Sequence, residues 1–290
     1  MRGEPRPQPA PIRRKRLRIS MLSAPAVFRT QGAFNKFVWF PDRSGSQVCL
    51  SFSVRTVSRT RALFPGRWDL SSGSYFNGAA ETMANETNQL VVIAHFEAKP
   101  GKEKQLEELF RGLLLPTRAE PGCLRYELNH NLDDPRRFTF AEKFRNEEAF
   151  QEHPKTPHVR HFLDVVPALI ASKEVRTLKE LFPGRERPLQ PGESPFVVIA
   201  HFTPKPGKRV ELLSFLSSLI EPTRAEPGCS RYELNQDLAD SDTFSFVETF
   251  AGRAGFDAHC QQPYIAKLFE VLPVLVNKQF IGLHRQINVS

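Results

Sequence analysis

Eight histidines and four cysteines are the side chains of this sequence best suited to proton transfer, metal ligation or nucleophilic attack. The cysteines, Cys49, Cys123, Cys229 and Cys260, are too few and too scattered for CxxC metal pairs or a disulfide framework. Cys123 and Cys229, each just after a turn, read as small apolar strand residues. His153 and His259 hold matching places in two similar stretches, AFQEHPKTPH and GFDAHCQQPY. A neutral imidazole is the side chain best matched to moving a proton near pH 7, so both are candidates for a general base or proton shuttle. Set against that, a histidine on a mixed helix face is often an ordinary structural residue. His153, His158 and His161 together suggest a metal, but the second stretch keeps only His259, with Tyr264 and Lys267 at the other two positions, so no metal is expected. Glu142 and Glu248 each sit inside a phenylalanine-rich run, FTFAEKF and FSFVETF. A carboxylate there either serves proton transfer or bridges to Arg125 as a buried pair. His95 and His201 end a buried strand and read as packing or interface residues.

These residues must be positioned by two copies of one domain. Val91–Gly101, VVIAHFEAKPG, recurs as Val197–Gly207, VVIAHFTPKPG, at an offset of 106 residues. The offset holds without a gap, with about 37 identities over the 91 pairs that start at Val91 and end at Leu181. In each copy a short apolar, β-branched run predicts a buried strand, and Lys99-Pro100-Gly101 predicts a turn. Leu106, Leu109, Phe110, Leu113 and Leu114 then fall on one helix face, as do Leu212, Phe215, Leu216, Leu219 and Ile220. Cys123–Asn129 and Phe138–Phe144 read as two further strands. A second helical stretch runs from Glu147 to about Ile170, jogged at Pro154 and Pro157, and Val175–Leu181 is the last strand.

The order β-α-β-β-α-β is the ferredoxin-like arrangement, one antiparallel sheet with both helices on one face. Both faces of these strands carry large apolar residues, so the free face needs a cover. A second copy supplies it, which predicts an α+β protein of two tandem ferredoxin-like domains packed sheet to sheet. The expected divisions are a leader over 1–87, a first domain over 88–182, a Pro/Gly linker over 183–195 and a second domain over 196–288. The copies pair within one chain in this scheme, and a homodimer remains an alternative.

Composition separates the leader from the rest. The 290 residues carry a net charge of +8, yet residues 1–80 alone hold 14 Lys/Arg against 3 Asp/Glu, leaving 26 against 29 in the remainder. The repeat region therefore gives no reason to expect nucleic acid or another polyanion. The leader is Arg- and Ser-rich, acid-poor and without core-forming periodicity, the composition of a disordered transit peptide, for chloroplast in preference to mitochondrion. Were it not a transit peptide, the location would be the cytoplasm. No stretch has the roughly 18 apolar residues of a membrane span.

The motifs VVIAHFxxKPGK, TRAEPGCxRYELN, FxFxExF and AFxxHxxTPH resemble the antibiotic biosynthesis monooxygenase family, whose folds are dimeric α+β barrels. The resemblance covers 88–181 and 194–287. It implies a cofactor-independent monooxygenase with molecular oxygen as co-substrate, acting on a small aromatic, phenolic or quinol-like molecule. Haem degradation is disfavoured, because relatives of that kind use a pocket Trp and a first-strand Asn, whereas Trp39 and Trp68 lie in the leader and Val91–Phe96 has no Asn. No GxGxxG or P-loop supports a nucleotide or flavin. In the implied site His153 and His259 take the substrate proton, and Glu142 and Glu248 fix the imidazole. Tyr126 and Tyr232 hold a substrate oxygen, with Asn129, Asn235, Arg125 and Arg231 orienting it. His158 belongs to the HxxTPH pattern of copy one only, which favours that copy as the working one. The rival expectation is a non-catalytic ligand-binding or stress-associated barrel.

Overall fold

The structure is a computed structural model that describes residues 88–184 and 186–288, together with the backbone of 34–41 and 47–54. In the leader, β1 (Phe34–Pro41) and β2 (Gln47–Val54) pair antiparallel as a two-stranded sheet of their own. The rest of the leader, and with it the expected transit-peptide cleavage point, lies outside the described residues.

Copy one runs β3 (Leu90–Ala98), α1 (Glu103–Arg118), β4 (Cys123–Asn131), β5 (Arg137–Phe144), α2 (Glu147–Glu152), α3 (Pro157–Val165) and β6 (Ile170–Glu180). Copy two runs β7 (Pro195–Pro204), α4 (Arg209–Ser218), α5 (Ile220–Arg224), β8 (Cys229–Asp237), β9 (Phe244–Ala251), α6 (Gly252–Cys260), α7 (Pro263–Leu275) and β10 (Val276–Ile287). Both repeat the predicted order. The first helix buries Leu106, Phe110, Leu113, Leu114 and Thr117, one stripe along its length. Gly101 turns the chain between β3 and α1 at φ +78°, a left-handed conformation that costs glycine nothing. The second helical stretch breaks where its prolines stand, with a one-turn 3-10 helix at His153–Lys155 and Pro157 opening α3.

Each copy builds one antiparallel four-stranded sheet, in the orders β4-β5-β3-β6 and β8-β9-β7-β10. The last strand of each copy then crosses to the other. β6 pairs with β8 through Leu178↔Asp237, Lys179↔Gln236 and Glu180↔Asn235, and β10 pairs with β4 from His284↔Asn131 to Ile287↔Leu128. Two sheets thus close into one eight-stranded barrel within a single chain, leaving none of these eight strands with an open edge. Among the described residues no helix is long and apolar enough to cross a membrane.

The two-residue period of the strands sorts side chains between two compartments. Val91 and Ile93 meet Ala141, Leu178, Val197, Ile199 and Val247 as a fully buried cluster inside the barrel. Ala94, Phe96, Tyr126, Phe138 and Phe140 face outward and pack with Leu106, Phe110, Val159 and Phe162 of the helices. Inside the barrel the copies are also locked by reciprocal ion pairs. Arg125 donates through Nη2 and Nη1 to Glu233 at 2.7 and 2.9 Å, and Arg231 donates to Glu127 at 2.6 and 3.0 Å. Lys143 joins them, reaching Glu180 at 2.8 Å and Glu233 at 3.0 Å. Burial alone would raise both glutamates' pKa values, but the facing guanidinium holds each carboxyl below the usual range. Arg125→Ala leaves Glu233 buried without its fork and is expected to cost about 3 kcal/mol, read from urea unfolding. The double variant Arg125→Met/Glu233→Leu is expected to recover most of that loss, since a well-packed apolar pair replaces a buried ionic one at little cost.

Candidate functional site

Between the outer face of the first sheet and the segment α2–α3 lies a cavity of about 160 Å³. Its walls are mostly apolar, among them Ala94, Phe96, Phe140, Val159 and Phe162, and its polar members are Tyr126, Glu142, His153 and Lys173. A dry cavity of about 150 Å³ is enough to hold benzene, so this one takes a single aromatic ring.

His153 is brought to the cavity by tight local packing. Asn146 caps α2 by accepting from the Ala149 N–H at 3.0 Å, and the Thr156 hydroxyl donates to the His153 carbonyl at 2.8 Å. At Gly122 a Cβ would fall 2.2 Å from the Cβ of Ala149, so only glycine lets α2 seat against the loop that carries Glu120. The outcome is a charged hydrogen-bond cluster. His153 donates through Nδ1 to the two oxygens of Glu120 at 2.9 and 3.1 Å, and His158 donates through Nε2 to Glu120 Oε1 at 2.9 Å. With Nδ1 occupied, Nε2 is the nitrogen of His153 left to meet a bound molecule. Burial lowers its pKa, opposed by the hydrogen bond and charge of Glu120, so the ring is neutral at pH 7.

The other polar walls are protonated. Burial first, and the Glu120 charge second, push Glu142 up to about 8, which makes it a carboxylic acid at neutral pH. Burial also lifts Tyr126 well above the usual phenol range, and Thr117 hydrogen-bonds its hydroxyl. The cavity therefore combines one neutral base with two neutral proton donors, and Lys173 adds an amine to its wall.

Several expected placements differ. Glu120, and not Glu142, is the carboxylate on His153. It lies in the TRAEPGC segment common to both copies, and its repetition as Glu226 was the available signal. Glu142 does not pair with Arg125 either, because the two point to opposite faces of the sheet and Arg125 is held by Glu233. Arg125, Arg231, Asn129 and Asn235 lie on the inward face of β4 and β8, across the sheet from the helices. Asn129 and Asn235 are fully buried there, with Nδ2 turned to the Glu127 and Glu233 carbonyls at 3.4 Å. None of the four can orient a molecule beside His153. His95 and His201 pack against each other inside the barrel mouth, with ring centroids 5.2 Å apart.

Copy two repeats the pair, with His259 Nδ1 donating to Glu226 at 2.8 Å, but the Tyr264 hydroxyl takes the place of His158 on that carboxylate. Glu248 is again pushed up to about 8 by burial and then by Glu226, and Tyr232 again lies above the phenol range. The wall residues are larger. Ile265, Phe269, Leu272 and Ile281 stand where copy one has Val159, Leu163, Val166 and Val175, and Leu268 for Phe162 is the smaller exchange. As to metals, Glu120, His153 and His158 offer ligand atoms within 4.8 Å of one another, a set a divalent cation could share. His161 is not part of it.

The family model described as antibiotic biosynthesis monooxygenase matches the chain twice, over residues 89–165 and 195–271. An uncharacterized protein of Synechocystis, sll1783, is 36% identical over 86 residues, which are 30% of this chain and 58% of that protein, so the match spans little more than half of the relative. A Mycobacterium tuberculosis protein named "putative monooxygenase Rv0793" is 39% identical over 89 residues, 29% of this chain and 87% of its own length. A crystal structure from Fusobacterium nucleatum, titled in the same terms, superposes with a TM-score of 0.63 at 15% identity and covers 69% of this chain and 93% of its own, a likeness of fold.

The raised Glu142 pKa has a consequence for stability. An unfolded carboxyl ionises near 4.5 and the folded one near 8, so between these values the folded state keeps a proton that the unfolded state has released, and stability falls as pH rises. Glu142→Gln is expected to gain stability relative to wild type between pH 5 and pH 8, on the order of 1–4 kcal/mol, in parallel urea titrations. A difference that stays constant with pH would place an ionised carboxylate at this position.

Proposed function

The chain belongs to the antibiotic biosynthesis monooxygenase family, with two copies of the family's domain in one polypeptide, and from that premise we propose that copy one is a cofactor-independent monooxygenase for a small aromatic, phenolic or quinol-like compound. One observation carries the reading: a neutral imidazole, backed by a carboxylate on Nδ1, presents Nε2 to an apolar cavity of one-ring size. The monooxygenase name of the Mycobacterium tuberculosis relative supports oxygen chemistry of this kind.

In this reading the phenol binds against Phe96, Phe140 and Phe162, with its oxygen toward His153. His153 Nε2 takes the phenolic proton, and Glu120 stabilises the imidazolium that forms. A phenolate is electron-rich enough to pass an electron to dioxygen directly, and the resulting pair recombines as a ring peroxide. Apolar walls favour this step by keeping bulk water away from the anion. The His153 imidazolium passes its proton to the peroxide, and loss of the one hydrogen on the peroxide-bearing carbon, whose proton replaces the one Glu142 gives up, cleaves the O–O bond and leaves one oxygen on the ring as a quinone carbonyl. The other departs as water, protonated by the Glu142 carboxylic acid, so one phenol and one O₂ give one quinone and one water. Tyr126, whose ring centroid lies 5.7 Å from that of His153, donates to the same substrate oxygen. Copy two, with its bulkier walls, serves as the other half of the barrel.

Oxygen uptake by the full chain against a panel of phenols and hydroquinones tests the proposal. His153→Ala is expected to lower kcat/KM by about 10²–10⁴-fold, the usual contribution of a general base, while His259→Ala leaves it within a few-fold of wild type. Glu120→Gln is expected to lower kcat by at least about tenfold and to weaken the alkaline arm of the pH profile less than Glu142→Gln does. Saturable binding of panel members with no oxygen uptake would favour the ligand-binding barrel instead, and activity insensitive to His153→Ala would remove the site assignment.

A further inference from the structure

A second cavity, of about 450 Å³, opens at one end of the barrel on the inner side of the sheets, and its size is that of a site for a small organic molecule. Its floor is aromatic and uncharged. His95 of β3 and His201 of β7 are equivalent residues of the two copies, and barrel closure brings their Nε2 atoms to 2.9 Å, a hydrogen bond that uses both nitrogens. The Nδ1 atoms are used as well, by Thr139 Oγ1 at 2.9 Å and by Ser245 Oγ at 2.7 Å. The Phe280 ring lies across the pair, stacked on His201 at 5.5 Å and edge-on to His95 at 5.1 Å. A Cβ at Gly282 would fall 2.9 Å from the tip of that ring, so glycine there makes room for it.

The rim is charged, and its balance is positive. Arg137, Lys173, Arg176 and Lys278 line the cavity against two carboxylates, Glu97 and Glu174. Both carboxylates are already committed, Glu97 to Arg136 at 2.9 Å and Arg137 at 3.8 Å, and Glu174 to Arg176. Lys173 and Lys278 have no carboxylate partner among the described residues. They stand on β6 and β10, four strands apart around the barrel, and so line the mouth from opposite sides. The positive field reaches the floor: burial first, and then the charges of Arg176 and Arg137, lower His95 to about 4, and burial, followed by His95 and Arg176, holds His201 well below the imidazole range. Such a mouth repels cations and draws anions in.

We propose that the barrel mouth binds an organic anion with a flat aromatic body, its rings on Phe280 and the imidazole pair and its carboxylate, sulfonate or phosphate group between Lys173 and Lys278. The aromatic floor favours stacking, and the exposed ammonium groups hold the anionic group at the water's edge, where its desolvation costs little. The two copies contribute different halves of the site. Lys173 aligns with Gln279, Lys278 with Ser172 and Phe280 with Glu174, so the ligand has one orientation where a symmetric pair of domains would offer two. Lys173 also touches the cavity beside His153, but Lys278 and Phe280 do not, and that cavity takes a single ring. The site therefore stands apart from the proposed oxygenase reading.

The experiment is a fluorescence titration of the full chain with anilinonaphthalene sulfonate, an aromatic anion too large for a one-ring cavity, and with phenyl-naphthylamine, the same ring system without the charge. One saturable site per chain is expected for the anion, with the uncharged probe about tenfold weaker. Raising the salt to about 0.5 M is expected to weaken the anion several-fold by screening. Lys173→Gln and Lys278→Gln, both at exposed positions that folding does not need, are each expected to weaken it about two- to fivefold. Phe280→Ala is expected to weaken it at least about fivefold, and His153→Ala to leave it unchanged. Absence of saturable binding, equal affinity for the uncharged probe, or affinity untouched by both Lys278→Gln and Phe280→Ala would overturn the proposal. Loss of binding in His153→Ala would overturn it as well and place the probe in the outer cavity.

Discussion

Two guanidinium–carboxylate forks, Arg125 to Glu233 and Arg231 to Glu127, cross the barrel interior between the copies in opposite directions and hold the two sheets together. They are costly groups to bury, and neither copy could bury them alone, because each fork takes its arginine from one copy and its glutamate from the other. The apolar cluster that contains Val91, Ile93, Val197 and Ile199 is divided in the same way. A single ferredoxin-like sheet would leave these residues in water. Duplication removes that exposure without a second chain, and the crossing of β6 to β8 and of β10 to β4 removes the strand edges as well.

Closure also divides the chemistry. Because side chains alternate along a strand, Tyr126 and Glu142 go out to the helices while their neighbours Arg125 and Lys143 go in. The outer compartment is small, apolar and lined by protonated acids. The inner one is ionic at its centre and lined by histidines at its mouth. In both, low dielectric surroundings set the protonation states, but with different effect. Burial, with the Glu120 or Glu226 charge beside it, keeps Glu142 and Glu248 neutral, while Glu127 and Glu233 stay ionised where arginine pairs with them.

The two copies have kept the architecture and diverged at the outer cavity. The Glu–His pair persists as Glu120–His153 and Glu226–His259, which fits a structural duty in anchoring the loop after the first helix to the second helical stretch. His158 and the smaller wall residues persist only in copy one. A duplicated domain that must still close a barrel is free to change the walls of its outer compartment, since the barrel core depends on the inward residues and that compartment on the outward ones.

The repeat, the β-α-β-β-α-β order and the division between basic leader and globular part were all legible in the chain, because they rest on local periods and on a 106-residue self-match. His153, Tyr126 and Glu142 could be named as candidates for the same reason: their residue types and strand or helix phase are local properties. Their partners could not be named. Whether Arg125 meets Glu142 or Glu233 turns on which face of the sheet it occupies and on what the other copy places opposite. Glu120 reaches His153 only because Gly122 lets the helix settle on its loop. The opposed imidazoles of His95 and His201 exist only once the barrel is closed. One sequence specifies the elements and their faces through short-range sterics and periodicity, whereas contacts between residues about 100 positions apart are fixed by sheet register and closure.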